Sequence, residues 1–217
     1  MKDLTLDELR PLLVAAMLPH VPFEGWSKAS VASAARDLAI PGDVAALVFA
    51  SPFDMVDAYI TQADVQMRAA LDTPHFAKMK VRKKITTAIR TRLEQAIPHR
   101  EAVRRAVAVL GLPTNAPRAP ALTWRTADSI WRLCGDTSTD LNHYSKRALA
   151  GGVYASTLLV WLNDDSEDFA ESWAFLDRRI EGVMQIEKLK AKLKHFSGGE
   201  RISLPRFFGR LRYPVEN

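Results

Sequence analysis

Apolar residues in this chain recur at steps of three and four and nowhere in a sustained alternation of two, which commits the backbone to helices. Met55, Val56, Tyr59, Ile60, Ala63 and Met67 recur in this way, and Val81, Ile85, Ile89, Leu93 and Ile97 follow at four-residue intervals. Phe169, Trp173, Leu176, Ile180 and Val183 step by 4, 3, 4 and 3, the seam of a helix packed on another helix or on a second copy of the chain. A chain of 217 residues can bury about 70% of its unfolded surface, so one substantial core is expected. Its single cysteine, Cys134, excludes an internal disulfide.

Punctuation places the helices. Thr5 and Glu8 form a capping box at the first helix start, Pro11 bends that helix, and Pro19 and Pro22 close it. Ser27 caps a second helix running to Leu38, and Ile40-Pro41-Gly42 breaks the chain before a short third one. Further helices are predicted over Pro52 to Leu71, Val81 to Ile97, Glu101 to Leu110, Trp124 to Cys134, Asn142 to Leu162 and Ser166 to His195. Gly111 to Thr123, rich in proline, reads as the linker. Ala148 to Asn163 is uncharged but spans only about 24 Å as a helix, short of a bilayer core of about 30 Å. It fits a core helix or one lining a cavity for a long apolar ligand, and Gly151 with Gly152 lets something approach closely.

Charge is distributed unevenly. Lys78 to Arg105 and Lys188 to Tyr213 are strongly basic, so the remainder is net acidic although the whole chain is +5. Three short helices at the start have the outline of a helix-turn-helix. Yet the segment that would read bases, Pro41 to Ala50, offers Asp43 and no long donor. From Ser27 to Leu71 the acids Asp37, Asp43, Asp54, Asp57 and Asp64 outnumber Lys28, Arg36 and Arg68. A DNA reader needs phosphate-binding cations and side chains that reach base edges, so nucleic acid is not the expected partner. Catalytic groupings are also missing: no phosphate loop, nucleophile elbow or H-E-x-x-H pair occurs. Asp72 with His75 and Asp140 with His143 have ligand-like spacing, but such lone pairs are ordinarily surface or capping residues, and no metal is expected. No cofactor is implied.

The tail ISLPRFFGRLRYP would, as a helix, place Leu204, Phe207, Phe208 and Leu211 on one face and Arg206 with Arg210 on another. That is a basic amphipathic segment suited to reversible contact with an anionic membrane, or else a tail packed on its own domain. The cluster from Lys78 to Arg92 is a solvated face, or a second surface for a membrane or an acidic partner.

Three segments resemble one family. PHVPFEGWS (19–27), KVRKKITTAIRTRLEQAIPHREAVRRAVAVLGLP (80–113) and the long run from Trp131 to Lys188, including GDTSTDLNHYSKR, are similar to the ninth coenzyme Q biosynthesis protein in its alpha-proteobacterial form. The resemblance implies an all-α fold like that of the TetR regulators, with a degenerate helix-turn-helix over 1–72, a ligand-binding and dimerisation bundle over 73–200 and an amphipathic tail over 201–217. It implies a non-enzymatic homodimer that binds an isoprenoid quinone precursor or a phospholipid and assists the demethoxyubiquinone hydroxylase. A lipid-responsive regulator of the TetR kind is the alternative. By the resemblance, Asp140, Leu141, His143 and Tyr144 meet the hydroxylase and Arg147 holds a lipid head group at a pocket mouth. Leu149, Val153, Tyr154, Thr157, Leu158, Trp161 and Trp173 run beside the hydrocarbon. Where the family usually carries Trp after the Asn, this chain has His143, which weakens an aromatic anchor. No targeting extension is read, so a bacterial protein on the cytoplasmic face of the inner membrane is expected.

Overall fold

The structure, a computed structural model, describes residues 4–136 and 141–196. The helices are α1 (Leu6–Met17), α2 (Val21–Glu24), α3 (Lys28–Asp37), α4 (Gly42–Ala46), α5 (Pro52–Leu71), α6 (Pro74–Ala77), α7 (Val81–Gln95), α8 (Arg100–Leu110), α9 (Ala119–Leu133), α10 (Leu141–Trp161) and α11 (Ala170–Phe196). Among the described residues no strand occurs, and no helix is long and apolar enough to cross a membrane.

The helix starts follow from capping chemistry. The Thr5 hydroxyl accepts from the Glu8 amide while the Glu8 carboxylate accepts from the Thr5 amide at 2.8 Å, and Ser27 accepts from the Ala29 amide. Ser51 caps α5, with Pro52 in the first turn where its missing N–H costs nothing. Two expected breaks differ in the structure. Pro22 opens α2 instead of only closing α1, and the proline-rich stretch is half helix, because Pro120 lies in the first turn of α9. Proline stops a helix only from its interior; in a first turn its fixed φ favours one.

Met1–Arg178 forms one compact unit and Arg179–Asn217 a second. In the first, α1 packs on α3 and α5, α5 on α7, α8 and α9, and α10 on α9 and α7. Leu13, Met17, Val56, Met67, Ile89, Leu93, Ile130 and Trp161 are fully buried at the centre. The two helix glycines differ. A Cβ on Gly151 would stand 3.3 Å from Thr123 Cγ2, so this glycine is what lets α10 approach α9, whereas a Cβ on Gly152 meets nothing. Ala148 to Leu162 is therefore not buried all round: Gly152 faces solvent and Leu159 is 53% exposed. In the second unit, the described residues continue α11 to Phe196. Asp140 and the tail residues Leu204, Arg206, Phe207, Phe208, Arg210 and Leu211 lie outside the described residues, as do the side chains of Leu141 and Asn142.

Candidate functional site

Arg147, expected at a pocket mouth, is only 2% exposed. Its Nε donates to Asp128 Oδ1 at 2.6 Å, and Nη1 donates to Asp136 Oδ2 and to the His143 carbonyl, both at 3.2 Å. Burial pushes the Asp128 carboxyl up, but the hydrogen bonds from Arg147 and Arg132 outweigh it and hold the group below its ordinary value. The guanidinium thus already has two carboxylates, and its position is that of a clamp between α9 and the start of α10.

From Arg147 the other candidates run along α10. Leu149 and Leu158 are half-buried, while Val153, Tyr154, Thr157 and Trp161 are buried. The Thr157 hydroxyl donates to the Val153 carbonyl at 2.8 Å, and the Tyr154 ring lies under Arg92, 5.3 Å from its Cζ. Trp161 stands at the far end, fourteen residues and so about 21 Å along the helix from Arg147. Phe169 stacks between Trp161 and Trp173, at 5.8 and 6.4 Å, on a turn where Asp168 and Phe169 both take positive φ. Trp173 Nε1 donates to the Asp168 carbonyl at 2.8 Å. Arg90 covers the Trp173 ring and Arg100 the Trp161 and Phe169 rings. The structure therefore brings Trp161 and Trp173 together and sets both apart from Arg147.

His143 and Tyr144 are joined by a residue that sequence reasoning missed. Trp124, from α9, lies 6.5 Å from His143 and 6.0 Å from Tyr144, and the two α10 rings are 5.2 Å apart. Tyr144 is 61% exposed, so the cluster reaches the surface. Trp131 Nε1 donates to the Lys146 carbonyl at 2.9 Å and ties the two helices beside it. An indole from the neighbouring helix α9 is thus held against the two rings at the start of α10.

A cleft of about 550 Å³ opens elsewhere, between α1, α5 and α7, and none of the candidate lipid residues lines it. Arg147, Tyr154 and Trp161, from the helix on which the lipid site is expected, are buried and do not line this cleft. Arg92 and Tyr59 form part of the cleft wall. Arg92, 3% exposed, donates Nε to Asp64 Oδ1 at 2.8 Å, and the Thr126 hydroxyl lies within 3.1 Å of both Asp64 oxygens. This buried ion pair joins α5, α7 and α9. Burial pushes the Tyr59 hydroxyl up to about 12, against the opposing influence of Arg92, so it stays protonated at neutral pH. The sequence did carry a signal for the pair: Asp64 continues the Val56-Ile60 step and Arg92 stands between Ala88 and Ala96, each a charge set into an apolar row.

The first three helices with a long helical bundle behind them define a class. The chain is similar to a TetR transcriptional regulator from Nitrosomonas europaea, with a TM-score of 0.64 over 80% of this chain and 96% of that one; at 19% identity this shows the fold alone. The fold is that of the TetR regulators. Residues 116–187, which contain the aromatic patch, Arg147 and Trp173, match the COQ9 family model. The mitochondrial ubiquinone biosynthesis protein COQ9 of Rattus norvegicus is 30% identical over 203 residues, covering 90% of this chain and 64% of the relative. Its Homo sapiens counterpart is 29% identical over 203 residues, with 90% and 63% covered, and COQ9-B of Xenopus laevis is 31% identical over 185 residues, with 82% and 63% covered. The chain is a relative of the COQ9 proteins, and it spans just under two thirds of the length of these curated relatives.

Proposed function

We propose that this chain is a binding accessory protein of ubiquinone biosynthesis, which takes up an aromatic isoprenoid precursor at a membrane and presents it to the demethoxyubiquinone hydroxylase. On this reading it acts by binding and not by catalysis, as a homodimer peripheral to the inner membrane. The observation that carries it is the exposed cluster of Trp124, His143 and Tyr144, which lies within the segment matching COQ9. Aromatic residues on a rigid helix pair are what a partner surface uses as anchors, since they cover much area and lose little conformational freedom. The precursor's hydrocarbon lies along the outward side of α10, where Leu149 and Leu158 are half-buried and Leu159 is exposed, and its ring ends by the aromatic cluster. Arg147 serves by fixing the helix start on which His143 and Tyr144 stand.

Binding of the purified hydroxylase to the immobilised chain tests the partner half of this reading. Tyr144→Ala together with Trp124→Ala should weaken binding by about tenfold or more, the size of effect expected for central aromatic anchors. Unchanged affinity would remove the cluster as the docking surface. Native mass spectrometry of the chain co-expressed with the pathway tests the lipid half: recovery of a quinone-like species is expected, and recovery of no lipid of any kind contradicts it.

A further inference from the structure

The lysines between α6 and the first turn of α7 are set apart from most cations of the chain by having nothing to neutralise them. Between Asp72 and Glu94 the sequence carries no acid. Lys78, Lys80 and Lys83 are exposed, and Lys84 is half-buried with its Nζ 5.7 Å from the centre of the Phe76 ring. Among the described residues these four lysines pair with no carboxylate, whereas Arg90, Arg92, Arg100, Arg104 and Arg105, further along α7 and α8, each do.

Stability does not account for their position. Thr5, Ser27, Ser51 and Thr73 cap the helices they precede with a side-chain oxygen, but Lys80 at the head of α7 offers none, and no acid stands in its first turn. The free amides of a helix start carry a partial positive charge, which anions relieve and cations aggravate. Lysines gathered there add repulsion that no group of the chain offsets. The same tip lies at the end of the bundle where α10 begins. Lys84 acts on the Cys134 thiol at the end of α9, opposing the burial that pushes it up to about 11, and Trp131 ties that end of α9 to the Lys146 carbonyl.

Two features select the kind of anion. Val81, between Lys80 and Arg82, is 49% exposed, so the tip offers apolar surface amid its charge. Lysine, moreover, is a flexible, strongly hydrated point charge that meets phosphates without the fixed geometry of an arginine fork, which suits a mobile array of phosphates better than one shaped ligand. We infer that the tip formed by Lys78, Lys80, Val81 and Lys83 rests on an anionic phospholipid surface, with the lysines against the phosphates and Val81 among the head groups. The inference rests on the reading of the chain as peripheral to a membrane and gives that reading a surface, one that sets the start of α10 beside the bilayer.

Co-flotation of the full chain with vesicles of phosphatidylcholine, alone or with one third phosphatidylglycerol, tests this surface. The mixed vesicles should bind and the neutral ones should not, and binding should be lost at about 1 M salt, where charges are screened beyond about 3 Å. Each lysine removed should cost about fivefold, so Lys78→Gln/Lys80→Gln/Lys83→Gln should weaken binding by roughly a hundredfold. The corresponding triple change to Arg, which keeps the charge, should stay within about threefold of the wild type. Val81→Asp should weaken binding by about tenfold or more, and circular dichroism reports that each variant is folded. Full flotation of the folded Gln variant would overturn the assignment and move the contact to another surface. Equal binding to neutral vesicles would also overturn it, as would binding to a duplex oligonucleotide as tight as to the mixed vesicles. The Gln variant should bind the purified hydroxylase unchanged in the absence of vesicles, which separates failure here from failure of the partner reading.

Discussion

Asp64 and Arg92 are the residues on which the interior most depends. Each is only a few per cent exposed, and each is the other's countercharge. Removing one partner of a buried pair leaves an uncompensated charge, so Asp64→Ala should lower stability by about 3–5 kcal/mol in urea unfolding, whereas a well-packed apolar replacement of both residues should cost much less. Asp164 presents the opposite case, a carboxylate held by donors without a cation. Desolvation pushes its pKa up, but the hydroxyl and amide groups of Ser166 and Ser172 outweigh that and hold it at about 2, against an ordinary 3.8. A carboxyl lowered in the folded state contributes stability that is fully present above pH 3.8 and is lost as the pH falls towards 2. Asp164→Asn should therefore flatten the stability profile between about pH 4 and 2, read from thermal melts across that window. In the sequence Arg92 reads as the edge of a solvated basic face and Asp64 as one of several acids, whereas the structure buries the two as a pair. Pairing depends on how α5 and α7 are turned against each other, and one strand of sequence carries no record of that rotation.

At the scale of helices, α9 and α10 form the unit that presents the aromatic patch, held by Gly151 against Thr123, by Trp131 on the Lys146 carbonyl and by Arg147 on Asp128. The two glycines give a paired prediction. Gly152→Ala adds a methyl into open space in a helix interior and should raise stability by about 0.5–1 kcal/mol. Gly151→Leu forces α10 off α9 and should lower both the melting temperature and the affinity for the hydroxylase. Equal effects at the two positions would mean that the close approach does not matter. Helix positions were legible almost throughout: α5 spans Pro52–Leu71 as the stepping of Met55 to Met67 predicts, and α10 begins and ends within a residue of its expected limits. The start of α9 was misread, since proline density resembles a linker until it is known that Pro120 falls in a first turn. That misreading also hid Trp124, which stands inside the helix and not at its margin.

For the whole molecule, the fold of the TetR regulators is combined with a short α4 that carries no long polar side chain. The five residues of α4 supply Asp43 and no cation, and Leu47 after it is 72% exposed. Binding to duplex DNA should be absent at physiological salt, and a steeply salt-dependent complex would restore the regulator reading. The resemblance in GDTSTDLNHYSKR was legible in the sequence and led to the family that residues 116–187 match. The interior was not: an apolar helix reads the same whether it lines a hollow or fills one, and only the structure shows that Tyr154 and Trp161 are buried. The most direct test of the account is the quinone pool of a source strain lacking this protein. Extracted lipids should show demethoxyubiquinone accumulating and ubiquinone depleted, with the balance restored by the wild-type chain and not by the folded Trp124→Ala/Tyr144→Ala variant. An unaltered ratio of the two quinones in the deletion strain, or full restoration by that variant, would contradict it.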